Sequence, residues 1–454
     1  MVLVDYILPE FVSCLIFFVN KMVLVLITNT KNYRATEIMA GITTFMTMAY
    51  ILIVNPITLS LADTGAEHLG MDWGGVFTAT ALSACIATLI MALYAKLPFA
   101  LAPGMGLNSF FAYYVILKLG YTWQFALTAV FLEGIIFIIL TAFNIREAII
   151  NCIPANIRKA ISVGIGLFIA FIGLVNAGII EAGGAIIQLG NIKSPEALLA
   201  LIGLVVTGIL LVKKVKGALL LGIIIGAVVG IPMGVTPLPE GIVSMPPSLE
   251  PVMFKFDWTN VFSIDMLIVL FTFLFVDMFD TVGTLVGVST KAGMIDEKGN
   301  IPRAKQALFA DAIGTALGAC LGTSTVTTYV ESAAGVAEGG RTGLTSLTTA
   351  FMFFIALFLS PLFIIIPGAA TAPALILVGL FMMTPIKEIN FDDYTEAIPA
   401  FLTIIMMPLA YSIADGIAFG MLSYIVLKVL TGKAKGVKLA TYLASILFVI
   451  KFII

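Results

Sequence analysis

The sequence predicts an all-α polytopic membrane protein of about fourteen transmembrane helices, built as two inverted blocks of seven. Three observations carry that prediction. Of 454 residues, 60% are apolar and 11% charged, with mean hydropathy +1.12. A soluble domain carries about 25% charged residues, so this chain cannot coat a water-facing surface and a soluble enzyme is excluded. Fourteen apolar runs fit the roughly 20 residues that a crossing needs, and basic residues keep to alternate connections between them. Finally, the third run of each block is broken at matching places.

Residues 1–33 read as an N-terminal extension. Its apolar part, Phe11 to Ile27, is interrupted by Asn20 and Lys21 and reads as an interfacial helix. A basic start and an A-x-A site are missing, so a cleavable signal is not expected. The first block, 34–235, holds spans 38–60, 75–95, 99–117, 122–144, 158–180, 196–212 and 217–232. A proline-rich extracellular connection, 236–263, follows with Pro237, Pro239, Pro246, Pro247 and Pro251. The second block, 264–432, holds spans 264–288, 304–321, 322–338, 343–366, 369–385, 396–412 and 414–430. The C-terminal segment, 433–454, contains an apolar piece from 437 that crosses the membrane or lies on it.

With the start of span 1 placed in the cytoplasm, nineteen lysines and arginines fall inside and only Lys118, Lys193 and Lys255 outside. A missed or invented span would switch every later connection, so the positive-inside rule supports this count. Seven is odd, hence the second block enters from the opposite side, the inverted repeat common among transporters. The resulting location is the plasma membrane, multi-pass, with the termini of the repeats cytoplasmic.

Span 3 reads LPFALAPGMGLNSFFAYYV, and span 10 reads GTSTVTTYVESAAGVAEGG. Proline removes an amide donor, and glycine and β-branched threonine weaken a helix. Non-helical backbone survives at membrane depth only inside protein or beside a water-filled cavity. Paired interruptions in two halves point to a substrate site. Span 8 carries the other anomaly: Asp277, Asp280, Thr281 and Thr284 share one helical face. A charged aspartate at mid-depth costs on the order of 3 kcal/mol even on the lenient scale. Asp277, Asp280 and Glu331 must therefore face an interior. Glu133 and Asp311, isolated in spans 4 and 9, read as structural hydrogen-bonding acids. Asp415 reads as a helix N-cap, and Glu338 as the partner of Arg341.

Several chemistries are excluded. Net charge is −2 without a basic tail, so nucleic acid is no partner. Cys14, Cys85, Cys152 and Cys320 lack metal or disulfide spacing, and His68 is the single histidine, so neither a metal site nor a cofactor is expected. Gly335 to Thr342, GVAEGGRT, imitates a phosphate loop without the soluble α/β domain such a loop needs. Gly164, Gly166 and Gly173 read as helix-packing positions. No lysine or arginine lies near mid-depth, which disfavours anionic substrates. Carboxylates with hydroxyls and splayed backbone suit a neutral ligand bearing N–H donors, or a cation. A nucleobase fits: a carboxylate accepts two of its N–H groups, and Phe110, Tyr329 or Phe45 stacks on its ring. A buried carboxylate also serves as a proton carrier.

Four stretches, ATEIMAGITTFMTMAYILIVNP, LAPGMGLNSFFAYY, VDMFDTVGTL and TSTVTTYVESAAGVAEGGRTGLTSL, occur in order. They resemble the AzgA-like purine permeases, within the nucleobase–cation symporter group that also holds uracil and xanthine permeases. The resemblance runs from about Arg34 onward and implies a core and a gate domain, with short β-strands in spans 3 and 10. It implies base binding by Asp277 and Glu331, a polar contact from Asn108, an auxiliary acid in Asp280 and an aromatic in Tyr329. Proton coupling would fall to Glu331 and Asp277. Span 8 lacks the histidine of uracil permeases and has Thr281 nearby, which argues against uracil. The branch implies import of hypoxanthine, adenine and guanine by symport, with H+ the expected driving ion and Na+ its alternative. Another substrate on the same fold, uracil or xanthine or an anion as in sulfate permeases, is the competing reading. Whether the chain forms a homodimer stays open.

Overall fold

The computed structural model describes residues 31–62, 64–143, 154–183, 186–238, 241–294, 301, 303–434, 437, 441–442 and 445. The interfacial helix expected before residue 31 and nearly all of the C-terminal piece lie outside them. The first half is built from α1 (Lys31–Met48), α2 (Ile51–Ser60), α3 (Trp73–Ile90), β1 (Leu101–Pro103), α4 (Met105–Ser109), α5 (Trp123–Ala142), α6 (Ala155–Asn176), α7 (Pro195–Val212) and α8 (Ala218–Gly230). Helix α4 runs on as a wide turn over Phe110–Lys118. A hairpin of β2 (Ile180–Gly183) and β3 (Ile186–Leu189) follows α6. The hydropathy reading treats that stretch as a plain connection, because four-residue strands leave no periodic signal. The second half comprises α9 (Ile264–Lys291), α10 (Ala304–Leu321), β4 (Val326–Thr328), α11 (Ser332–Ala337), α12 (Gly343–Ala356), α13 (Ser360–Ile364), α14 (Gly368–Met382), α15 (Tyr394–Leu409) and α16 (Ile413–Leu430).

Seven helical stretches among the described residues are long and apolar enough to cross a membrane, from Arg34–Ser60 to Gly368–Glu388. Their ends carry ordinary capping chemistry. Asp72 accepts from Gly75 N at 2.7 Å to start α3, and Ser194 with Pro195 opens α7. At α16 the cap is Ser412, whose hydroxyl accepts from Asp415 N at 3.1 Å. Asp415 is thus the third helical residue and not the cap, which corrects the sequence expectation. Its carboxylate instead meets Lys118.

The helices sort into two bodies, each drawing on both halves of the chain. In one, α5 packs on α9 and α10, while α12 packs on α1 and α3. In the other, α14 packs on α6, α7 and α8, and α15 on α6 and α16. Exchanging each span for the one seven places on turns the first pair of contacts into each other, and likewise α7 on α14 into α15 on α6. At the heart of the second body, the backbones of α6 and α14 touch. A Cβ on Gly379 would stand 2.4 Å from Gly166 O, and one on Gly166 2.5 Å from Gly379 O. Gly164 and Gly173 likewise face α15 and α14, so all three glycines of this helix are packing positions.

Among the described residues, two ion pairs link the bodies. Lys118, ending the wide turn after α4, donates to Ala410 O at 2.6 Å and meets Asp415 at 3.1 Å. Lys216, before α8, meets Glu338 at 2.6 Å. Glu338 is therefore paired with Lys216 and not with Arg341, which donates to Val336 O and Gly340 O. The cause is the sharp turn at Gly339, φ 105°, which carries the chain away from Glu338.

Two threonines complete the unwound backbone. Thr88 of α3 donates to Leu101 O at 3.0 Å and accepts from Leu101 N at 2.9 Å, while Thr315 of α10 donates to Val326 O at 2.9 Å. They cover the outer edges of β1 and β4, where bilayer and protein supply no water. Thr88→Val should lower the melting temperature in detergent, at about 1–3 kcal/mol for each backbone group left unpaired, whereas Thr88→Ser should not.

Candidate functional site

The two broken spans meet. β1 and β4 pair antiparallel, with Leu101 opposite Thr328, Ala102 opposite Thr327 and Pro103 opposite Val326. The ladder extends through Gly104 N to Thr325 O at 2.9 Å and Tyr329 N to Ala100 O at 3.0 Å. Gly104 is a close approach: a Cβ there would stand 2.7 Å from Thr327 Cγ2 and 3.8 Å from Asp280 Oδ2. Only glycine leaves that room.

The hydroxyls ahead of Glu331 stitch this unwound stretch to its neighbours. Thr323 accepts from Asn55 Nδ2 at 2.9 Å, Ser324 donates to Asn108 Oδ1, and Thr325 donates to Glu133 Oε2 at 2.6 Å. Thr327 shares a 2.7 Å bond with Thr281. Glu133 therefore has the structural role expected of it. Asn108, fully buried, spends its carbonyl oxygen on Ser324, and its amide lies 3.9 Å from Met105 Sδ.

The acids divide by accessibility. Asp277, Asp311 and Glu133 are wholly buried. Thr281 Oγ1 lies 3.2 Å from Asp277 Oδ1 and 2.9 Å from Asp311 Oδ1, with its one proton available to either, making one sealed group behind β4. Asp280 and Glu331 keep part of their surface accessible. They stand within electrostatic range of each other and of the Tyr50 and Tyr329 phenols, and Asp280 also stands within range of Asp311 in the sealed group. Tyr329 donates to Pro103 O at 2.5 Å, and Tyr50 donates to Glu331 Oε1 at 2.8 Å. No lysine or arginine among the described residues takes part in this group.

The structure thus brings Glu331, Asp280 and Tyr329 together, while Asp277, one turn before Asp280, and Thr281, the residue after it, belong to the sealed group with Asp311. Phe110 is stacked on Tyr114 at 5.0 Å and edge-on to Phe273 at 4.9 Å. Phe45 stands edge-on to Phe353 at 5.1 Å. Both rings already have aromatic neighbours within the protein. Tyr50 was not anticipated. A tyrosine in an apolar run is no hydropathy signal, and its partner is 281 residues away.

Residues 35–419 match the model of the xanthine/uracil permeases, described as a Permease family. The chain belongs to the xanthine/uracil permease family. This permease is 48% identical over 428 residues to the guanine/hypoxanthine permease PbuG of Bacillus subtilis, covering 93% of this chain and 97% of that one. It is 42% identical over 419 residues to the adenine permease AdeP of Escherichia coli, covering 92% of each. The resemblance to purine permeases is borne out, and the permease is a multi-pass membrane transport protein, not an enzyme. In three dimensions it resembles the transmembrane domain of the cyanobacterial bicarbonate transporter BicA, with TM-score 0.64 at 16% identity, covering 85% of this chain and 98% of that one. That likeness bears out the transporter fold and says nothing of substrate.

Proposed function

We propose that this permease imports the purine nucleobases hypoxanthine, adenine and guanine by proton symport. The observation that carries the reading is the accessible pair Asp280 and Glu331, set with two phenols where the broken spans cross. Purines offer neighbouring N–H donors that carboxylate oxygens accept, while hydroxyls and the first amides of α4 reach ring carbonyls and nitrogens. Glu331 and Asp280 bind the base, with Asn108 and Tyr329 bounding the space. Phe110 and Phe45 supply the surrounding aromatic wall. Asp277, sealed beside Thr281, and Glu331 exchange the coupling proton; Na+ is the alternative ion.

The chain consists of two inverted repeats, 34–235 and 264–432, joined by the extracellular connection 236–263. The body holding α1–α5 and α9–α12 acts as the core that shifts against the gate body, exposing the site to each side in turn. The protein sits in the plasma membrane with the repeat termini cytoplasmic, and a homodimer would fix the gate. The relatives named for guanine, hypoxanthine and adenine support the substrate class. An anion, as in the bicarbonate transporter of like fold, is disfavoured by a site with two carboxylates and, among the described residues, no cation.

Uptake of labelled hypoxanthine in cells lacking their own permeases tests the reading. Unlabelled adenine and guanine should compete and uracil should not, and a protonophore should abolish accumulation. Uracil or bicarbonate transport without purine uptake would overturn the substrate; accumulation that survives the protonophore and follows sodium would overturn the ion.

A further inference from the structure

We propose that Tyr50 is the positioning residue for Glu331, holding one carboxylate oxygen so that the other faces the ligand. The inference rests on the reading of Glu331 as the base-binding acid. Tyr50 is 1% exposed, and a phenol so placed needs a hydrogen-bond partner. Its hydroxyl donates to Glu331 Oε1 at 2.8 Å, and among the described residues no other side chain donates to that carboxylate. Tyr329, the other phenol of the group, is committed to Pro103 O.

Tyr50 reaches Glu331 from a break in span 1. Helix α1 stops at Met48 and α2 starts at Ile51, so Ala49 and Tyr50 form a turn at mid-depth. Just before the turn, Thr47 Oγ1 lies 3.4 Å from Glu331 O. The turn therefore holds Glu331 by its side chain and touches its main chain. Glu331 itself precedes α11 as the flanking residue, with φ −61° and ψ −19°, and has no helix of its own to fix it. A long, partly accessible carboxylate with three rotatable bonds would otherwise wander. Beside the residue's own main-chain N–H, the neutral Tyr50 hydroxyl on Oε1 orders the carboxylate and keeps it an acceptor for a ligand N–H.

The test uses the full-length protein and the variants Tyr50→Phe and Glu331→Gln. Tyr50→Phe should raise the KM for hypoxanthine roughly tenfold, the loss of about one hydrogen bond to a charged group, with Vmax within about twofold and unchanged melting temperature. Its acid limb of uptake should move to higher pH, because a carboxylate that loses a donor takes up a proton more readily. Combined with Glu331→Gln it should cause no further loss of uptake, because the glutamine already turns its NH2 group toward the base. A substrate-independent readout separates this from the assignment of purines. The infrared carboxyl stretch that vanishes in Glu331→Gln should titrate at higher pH in Tyr50→Phe, whatever the protein transports. Site-specific fluorotyrosine at position 50, a stronger donor of the same shape, should move that titration to lower pH, and it serves if the phenylalanine variant misfolds. An infrared titration unmoved by the available variant would overturn the inference. Absent purine uptake by the unmodified protein would overturn only the substrate reading.

Discussion

Glu331→Gln is expected to lower purine uptake about a hundredfold or more while the protein still reaches the membrane in normal amount. Glutamine keeps the size of the side chain, and its amide oxygen can still accept from the Tyr50 hydroxyl, which lies 2.8 Å from Glu331 Oε1. What changes is the other end, where an NH2 group replaces an oxygen. That group would point a donor at the N–H groups of the base, leaving both without an acceptor in a site of low dielectric constant. Such a mismatch costs far more than a missing contact. Initial rates at several purine concentrations, normalised to surface abundance, provide the measurement. An undiminished rate would show that the base is held elsewhere.

Gly379→Val should cut the yield of folded protein and markedly lower the melting temperature of what remains. A Cβ at Gly379 would stand 2.4 Å from Gly166 O and 2.9 Å from Ala170 N, both backbone atoms that cannot swing aside. The two helices would have to part along their whole crossing, and overpacking of this kind costs about 1–3 kcal/mol or more against a total stability of about 5–15 kcal/mol. Because α6 also carries α15 and α14 also carries α7 and α8, the displacement spreads through the second body. Gly208→Ala in α7 is the control: no atom stands within 4 Å of its would-be Cβ, so it should be neutral or slightly stabilising. Size-exclusion profiles and melting temperatures of the extracted proteins distinguish the outcomes.

The sequence made some of this legible, for reasons of cost. Charges at membrane depth are so expensive that Asp280 and Glu331 announce an interior without any structure. Glycine, proline and threonine in spans 3 and 10 announce broken helices in the same way. What each hydroxyl does was hidden: Thr325 and Ser324 are spent on Glu133 and Asn108, bonds between residues 192 and 216 positions apart. Spacing along α9 put Asp277 and Asp280 on one face but could not say which is reachable, since a helical face spans both a sealed and an open side. Tyr50 left no trace because it costs little to place a tyrosine in an apolar run. The pairing of Glu338 was misjudged for a similar reason: proximity in sequence to Arg341 outweighed an unseen lysine from another body.

The β1–β4 ladder also bears on how the protein is made. Pro103 and Tyr329, joined in the finished site, are 226 residues apart. At about 5–20 residues per second, a ribosome needs roughly ten to forty-five seconds to synthesise the intervening chain. Throughout that interval the first strand has Thr88 on its outer edge and nothing on its inner one. Nascent chains arrested between the two strands should therefore be the species most dependent on insertion chaperones, and the candidate site can close only once Tyr329 has been synthesised.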